Sequence, residues 1–179
     1  MKCASCGSGE LSPATLEPGL PCYSCERCGG SLLSLSPYVD WATRQPPRTP
    51  PPAGSFEPHA SDSKQALRCP KCLRIMLKYK VTPDHSHGLD YCFGCEEVWL
   101  DGGEWGWLKA KGLDTQVTAI STDPWQRRLR EEASAKIRDN KLHQALGDSA
   151  FAEAERIRRW LREQPQRAEI LRYLNLEEG

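Results

Sequence analysis

No stretch of this chain is apolar for long enough to span a bilayer as a helix. Neither sign of charge prevails, with 24 lysines and arginines against 24 aspartates and glutamates. The first absence excludes a helical membrane protein. The second removes the basic excess by which a protein holds phosphate backbones regardless of sequence. Met1-Lys2-Cys3 opens without the apolar core or cleavage site of a secretory signal, so a cytoplasmic setting is expected. The usual catalytic signatures are also missing: no G-x-S-x-G, no Walker loop and no H-E-x-x-H. His85-Ser86-His87 lacks the glutamate of the deaminase H-x-E pattern. As two histidines in a polar turn, His85 and His87 read as solvated rather than ligating. Gly102-Gly103-Glu104 is too short to cradle a phosphate. The chain is not expected to be an enzyme.

What is present is cysteine, nine of them. Cys3 and Cys6 pair with Cys25 and Cys28, and Cys69 and Cys72 with Cys92 and Cys95. Each C-x2-C is followed by a second one after 18 and 19 intervening residues respectively. This is the spacing of a four-thiolate zinc site. The two-residue gap forms a knuckle that turns two sulfurs toward one ion, and the long gap is a β-hairpin that brings back the other two. Disulfides would require an oxidising compartment, so two zinc ions are the expected cofactors. Cys22 is left over. It creates an ambiguity, because Cys22-Tyr23-Ser24-Cys25 is also a C-x2-C. An internal repeat resolves it. Ten residues past Cys28 and Cys95 stand Tyr38 and Trp105, and thirteen past stand Trp41 and Leu108. The modules superimpose only when Cys25 and Cys28 match Cys92 and Cys95. Cys22 then lies on the incoming strand, an idle thiol or an exchangeable ligand.

The second module reads Cys69-Pro70-Lys71-Cys72, a hairpin, Cys92-Phe93-Gly94-Cys95, then Val98-Trp99-Leu100-Asp101-Gly102-Gly103-Glu104. It resembles the small bacterial zinc ribbons named for their likeness to the ribbon of transcription factor IIB. Their pattern is C-P-x-C, a hairpin, C-x-x-C-x-G-x-W-L-D-x-G-E and a short helix. The match covers Cys69 to Leu108 and departs at Glu97, where the family has glycine. The first module looks like a degenerate copy that keeps Gly30 but has Leu32 for the tryptophan and Ser34 for the aspartate. The resemblance implies a zinc-ribbon fold and zinc binding, and it implies little about activity.

Within the second module, Ile75, Leu77, Tyr79 and Val81 alternate with Met76, Lys78 and Lys80, the period of a half-buried strand. Pro83 to Gly88 is turn chemistry. Asp101 is expected to cap a helix from Glu104 to Lys111. Trp99 and Trp105 read as the core of a module too small to have any other. Trp107 serves equally as core or as an exposed aromatic contact for a partner.

The domain organisation expected is a first zinc ribbon over 1–44, a proline-rich linker over 45–66, a second ribbon over 67–112, a polar connector over 113–123 and a helical unit over 124–179. The linker, with six prolines, is a semi-rigid spacer, so the ribbons are either separate beads or a pair whose contact it permits. In the last segment Trp125, Leu129, Ala133 and Ile137 recur at helical period, and Leu142, Ala145 and Leu146 follow. Gly147 is a stop, Phe151, Ala154, Ile157 and Leu161 face one side of a second helix, and Pro165 opens a third. The apolar stripe is thin for an independent core, so docking or self-association is expected to cover it. The fold class expected is thus a small metal-stabilised α+β protein: two zinc ribbons, each a short antiparallel hairpin with a third strand, plus a helical hairpin or three-helix unit.

Four thiolates close the coordination sphere of a zinc ion and leave no place for substrate. Eight thiolates and two zinc ions give the neutral chain a net charge of −4. Arg68, Lys71, Arg74, Lys78 and Lys80 crowd one half of the second module, and Glu96, Glu97, Asp101 and Glu104 the other. Such a dipolar module suits a protein surface better than a duplex. The expected function is a tandem zinc-ribbon adaptor that binds another protein, in a regulatory or transcription-associated role. The alternatives are a nucleic-acid-binding zinc-ribbon protein using the basic strand from Arg68 to Lys80, and a thiol-based zinc or redox sensor using Cys22.

Overall fold

A computed structural model of the chain describes residues 1–46, 63–83 and 87–176. Most of the proline-rich linker, and His85 with its turn, lie outside the described residues. In the first module β1 (Leu11–Glu17), β2 (Leu20–Cys25) and β3 (Ser31–Ser34) form an antiparallel meander, and α1 (Leu35–Thr43) follows β3 directly. The β1–β2 turn passes through Gly19 at φ +78°, a left-handed conformation that suits glycine. The second module repeats this order with β4 (Leu77–Lys80), β5 (Gly88–Cys92), β6 (Glu97–Leu100) and α2 (Glu104–Ala110).

The two meanders are not separate beads. β3 pairs antiparallel with β6, which makes one six-stranded sheet in the order β1-β2-β3-β6-β5-β4. The register carries the repeat. Leu32 faces Trp99, its own equivalent, while Ser31 faces Leu100 and Leu33 faces Val98. The modules are therefore related by a two-fold-like axis through the Leu32–Trp99 pair. The linker permits the contact, and the third strand of each module makes it.

Because side chains alternate across a strand, this seam contributes to both faces of the sheet. On one face Leu33, Val98, Leu100, Leu89 and Tyr91 pack with Tyr38 and Trp41 of α1 and Trp105, Trp107 and Leu108 of α2. The rings of Trp41 and Trp105 lie 5.6 Å apart, so repeat-equivalent helices meet over the seam. On the other face Leu32 and Trp99 pack with Leu11, Leu67, Met76 and the cysteine sulfurs. Each large side chain buried this way contributes about 1.5–3 kcal/mol.

Several expectations need correction. The polar connector forms α3 (Val117–Ile120), with Val117 and Ile120 fully buried in the helix-side core. It is fastened there by Tyr38, whose hydroxyl donates to the Asp114 carbonyl and accepts from the Val117 N–H, both at 2.9 Å. Tyr91 donates to the Val117 carbonyl. Trp107 is only 2% exposed and packs at a tilt against His87, with 5.5 Å between ring centroids; it offers no aromatic surface. The β4 alternation fails at its start. Met76 is buried, whereas Ile75 and Leu77 are 60% and 53% exposed, because the chain around Met76 packs on the cysteine face. Asp101 does not cap α2 with its side chain. Its backbone N–H instead donates to Glu104 Oε2 at 2.8 Å, half of a capping box.

The chain divides into a unit over Met1–Glu131 and a second over Glu132–Gly179. The helical run α4 (Asp123–Arg162) is broken at Gly147, whose φ of 75° and ψ of 168° end one helix and begin another. Across that break Arg158 meets Asp139 at 3.4 Å, and His143 packs on Phe151. α5 (Arg167–Leu174) starts after Pro165, which sits in the preceding turn rather than in the helix. Leu161 is buried, but Ile137, Leu142, Leu146, Ile157 and Trp160 are exposed, as the thin apolar stripe foretold. No helix among the described residues is long and apolar enough to cross a membrane.

Candidate metal centres

Each cysteine pair sits in a knuckle built by backbone hydrogen bonds. Gly7 N–H donates to the Cys3 carbonyl, Gly29 N–H to Cys25 and Leu73 N–H to Cys69. The residue after the second cysteine is left-handed in all four knuckles: Gly7, Gly29, Leu73 and Glu96. Leu73 and Glu96 are the non-glycine residues of positive φ among the described residues. A left-handed leucine costs about 1–2 kcal/mol, and only the knuckle geometry holds it there.

The knuckles bring Cys3, Cys6, Cys25 and Cys28 into one group and Cys69, Cys72, Cys92 and Cys95 into another. In each group all sulfurs lie within 4.8 Å of one another. Cys3 to Cys28 and Cys72 to Cys92 are 3.5 Å apart, and Cys6 to Cys25 is 3.8 Å. Four sulfurs at about 2.3 Å from a tetrahedral zinc are about 3.8 Å from each other. The donor sets therefore fit two metal ions. Gly9 is a supporting residue that spacing did not reveal. A Cβ there would lie 2.4 Å from Cys25 Sγ, and its N–H donates to Cys6 Sγ at 3.3 Å.

The thiols are not alike. Backbone N–H groups of Gly9 and Ser8 stabilise the Cys6 thiolate and bring its pKa down to about 6. The Arg74 N–H does the same for the equivalent Cys72, down to about 7. Burial pushes Cys3 up to about 12 and also raises Cys28 and Cys92. Hydrogen bonding to Cys72 pushes Cys95 up to about 12. Each site thus offers one ready thiolate, and an incoming cation must displace protons from Cys3 and Cys28 in the first group and from Cys92 and Cys95 in the second.

Cys22 stands apart. It is buried on β2 with its Sγ 3.4 Å from Ser24 Oγ, outside both sulfur groups. His87 is not in either group among the described residues and lies beside Trp107 and Glu104.

Around the sulfur groups runs a set of polar contacts that the sequence did not announce. Ser5, inside the first knuckle, donates to Asp101 Oδ1. The same oxygen accepts Trp99 Nε1 at 2.8 Å, and Oδ2 accepts the Ser63 N–H at 2.7 Å. Lys71, inside the first knuckle of the second module, donates to Glu97 Oε1, which also accepts Ser34 Oγ at 2.7 Å. Ser5 and Lys71 are equivalent in the repeat, as are Asp101 and Ser34. Each knuckle is thereby linked to the chain that leaves the other module's third strand. Glu97 is the bridge in one of the two links. The equivalent position is Gly30, where a Cβ would lie 2.4 Å from Trp99 Cζ2. The large tryptophan of one module occupies the space left by the glycine of the other.

Fold and site together define a small α+β protein with an antiparallel sheet and two four-cysteine groups suited to metal ions. In comparisons with known proteins no family model matches the chain, and no curated protein or solved structure does so either.

Proposed function

We propose that this chain is a non-enzymatic, cytoplasmic zinc protein whose tandem ribbons form a rigid adaptor for another protein, in a regulatory or transcription-associated role. The observation that carries the reading is the pair of four-sulfur groups on one sheet. Four thiolates complete a tetrahedral zinc ion and leave no coordination position for a reacting water. Such an ion supplies folding energy rather than chemistry. The zinc-ribbon assignment rests on the knuckle–hairpin–third strand order in each module and on the resemblance of Cys69 to Leu108.

One finding favours a second reading. Glu97, Asp101 and Glu104 are buried, so the acidic half of the second module is largely internal. Its outer surface is more basic than the balanced composition suggests, which suits nucleic acid. Exposed aliphatic side chains among those cations make nothing of a phosphate backbone, and they keep the protein-binding reading ahead. The sensor reading needs an accessible Cys22 near a sulfur group, and its buried position weighs against it.

Elemental analysis of gently purified protein tests the scaffold, with two zinc ions per chain expected. One ion or none would overturn it. Binding to random duplex or single strands at physiological salt tests the alternative. A submicromolar interaction that weakens steeply with salt would promote it.

A further inference from the structure

We infer that the two sulfur groups load zinc as one unit, so that the chain passes from empty to doubly loaded with little of the singly loaded form between. The inference rests on the zinc reading above and adds a regulation to it: the scaffold assembles over a narrow range of free zinc rather than in two steps. A module this small depends on its ion for most of its folding energy. Loading one group therefore orders one module. The coupling is set by how much of the other module that ordering completes.

Contacts of three kinds carry it. The first is a shared core. Cys3 and Cys25 of one group and Cys69 and Cys92 of the other lie in a single apolar cluster with Leu32 and Trp99, and the remaining four ligands pack against it. The second is the β3–β6 pairing, which neither module can make alone. The third is made by the knuckles themselves. Ser5, between Cys3 and Cys6, donates to Asp101 and accepts the Trp99 indole N–H at 2.8 Å, so a knuckle of the first module fixes the end of β6. Lys71, between Cys69 and Cys72, holds Glu97, which accepts Ser34 Oγ at 2.7 Å. Glu96, the left-handed residue after Cys95, accepts the Leu35 N–H at 2.8 Å. Both knuckles of the second module thus fix the start of α1.

A zinc ion draws the sulfurs of a knuckle to one point. Ser5, Lys71 and the Glu96 carbonyl belong to the knuckle turns, so an ion in one group sets atoms that the other module needs. Charge works against double loading, because four thiolates around a dication leave −2 at each group. Lys2 and Arg68 line the cleft that also holds Cys3 and Cys69, and they offset that repulsion.

Native mass spectrometry of the reduced full chain in a zinc-buffered series counts the empty, singly loaded and doubly loaded forms. Independent equal sites leave about half of the chains singly loaded at half saturation, and unequal sites leave more. Coupling of about ten- to hundredfold lowers that share to between about a quarter and about a tenth. The low share is expected. A share of half or more, with two ions bound at saturation, would overturn the inference and leave the zinc reading standing. Fewer than two ions at saturation would overturn that reading instead. Ser5→Ala with Ser34→Ala removes the hydroxyls that reach the acids of the second module and keeps all eight ligands. It should still bind two ions, with the singly loaded share raised; an unchanged share would overturn the part given to these contacts. Cys72 lies outside the β3–β6 pairing. Cys72→Ser should weaken zinc at the intact first group by about tenfold or more, measured by chelator competition. An unchanged affinity there would also overturn the coupling.

Discussion

The two cysteine modules share a skeleton and differ in what they place at the seam. The first contributes Gly30, Leu32 and Ser34, and the second contributes the equivalents Glu97, Trp99 and Asp101. Taken alone, the first module looks eroded. Across the β3–β6 pairing it is complementary: Trp99 fills the space over Gly30, and Ser34 and Lys71 share Glu97. Two identical copies would set two tryptophans against each other at the axis, where Leu32 and Trp99 now meet. The difference between the modules is therefore what lets them join.

The strongest way to break this picture is to remove one metal site. A structural zinc site supplies about 10–16 kcal/mol of apparent binding free energy. Cys25→Ser is expected to lose the first ion and, through the shared sheet, to destabilise the second module as well. Thermal unfolding followed by circular dichroism, with zinc release recorded in parallel, should show both modules melting in one transition. A second module that melts unchanged would mean that the seam carries little energy. Cys22→Ser should keep both ions.

Acid should act on both sites together. Zinc requires all eight sulfurs as thiolates, so proton binding competes with metal and affinity falls as pH falls. In the metal-free chain Cys3 and Cys95 hold their protons up to about pH 12, while Cys6 and Cys72 lose theirs near 6 and 7. Zinc uptake at neutral pH should therefore release more than one proton per ion. A pH-stat titration that finds one or fewer would show that the sulfurs are already ionised before metal arrives.

Next come the residues at the axis. Trp99→Ala removes a fully buried ring and should cost about 3–5 kcal/mol. Gly30→Ala forces a methyl into that ring and should cost about 1–3 kcal/mol. The double variant should cost less than the sum, because the alanine then has room. Additive losses in a denaturant series would show that the two positions do not share the space.

The knuckle links predict a smaller and unequal pair. Lys71→Ala leaves the buried Glu97 carboxylate without its cation and should cost about 1–3 kcal/mol. Ser5→Ala removes one of three donors to Asp101 and should cost about 1 kcal/mol or less. Equal effects would mean that the seam is more symmetric than its residues.

The smallest effect concerns backbone strain. Leu73→Gly should be neutral or stabilise by up to about 1 kcal/mol, since glycine adopts the left-handed conformation without the Cβ penalty. The opposite exchange, Gly29→Leu, should destabilise by a similar amount. Melting temperatures of the two variants check the sign.

The eight clustered cysteines were legible because C-x2-C spacing is dictated by a local turn: two sulfurs on one knuckle need no information from elsewhere. The separation of Cys22 from Cys25 was legible only through the repeat. Helices with strong period, and the break at Gly147, were legible for the same local reason. Trp107, Ile75 and Leu77 were not. Their patterns fit either face, and the choice was made by packing partners distant in sequence. Asp101 looked like a cap because its neighbours form a turn, yet its carboxylate is engaged by Ser5 and Trp99 instead.

By itself, then, the sequence determined two four-cysteine groups, the hairpins between them and a helical C-terminal segment, since each follows from spacing or period over short distances. Tertiary structure alone decided that β3 and β6 pair into one sheet, that the polar connector seals the core through Tyr38 and Tyr91, and that the acids turn inward while Ile75, Leu77 and Phe93 turn out. Those outcomes depend on strand register and on side chains filling each other's space across the seam, and neither quantity is written in any one segment of the chain.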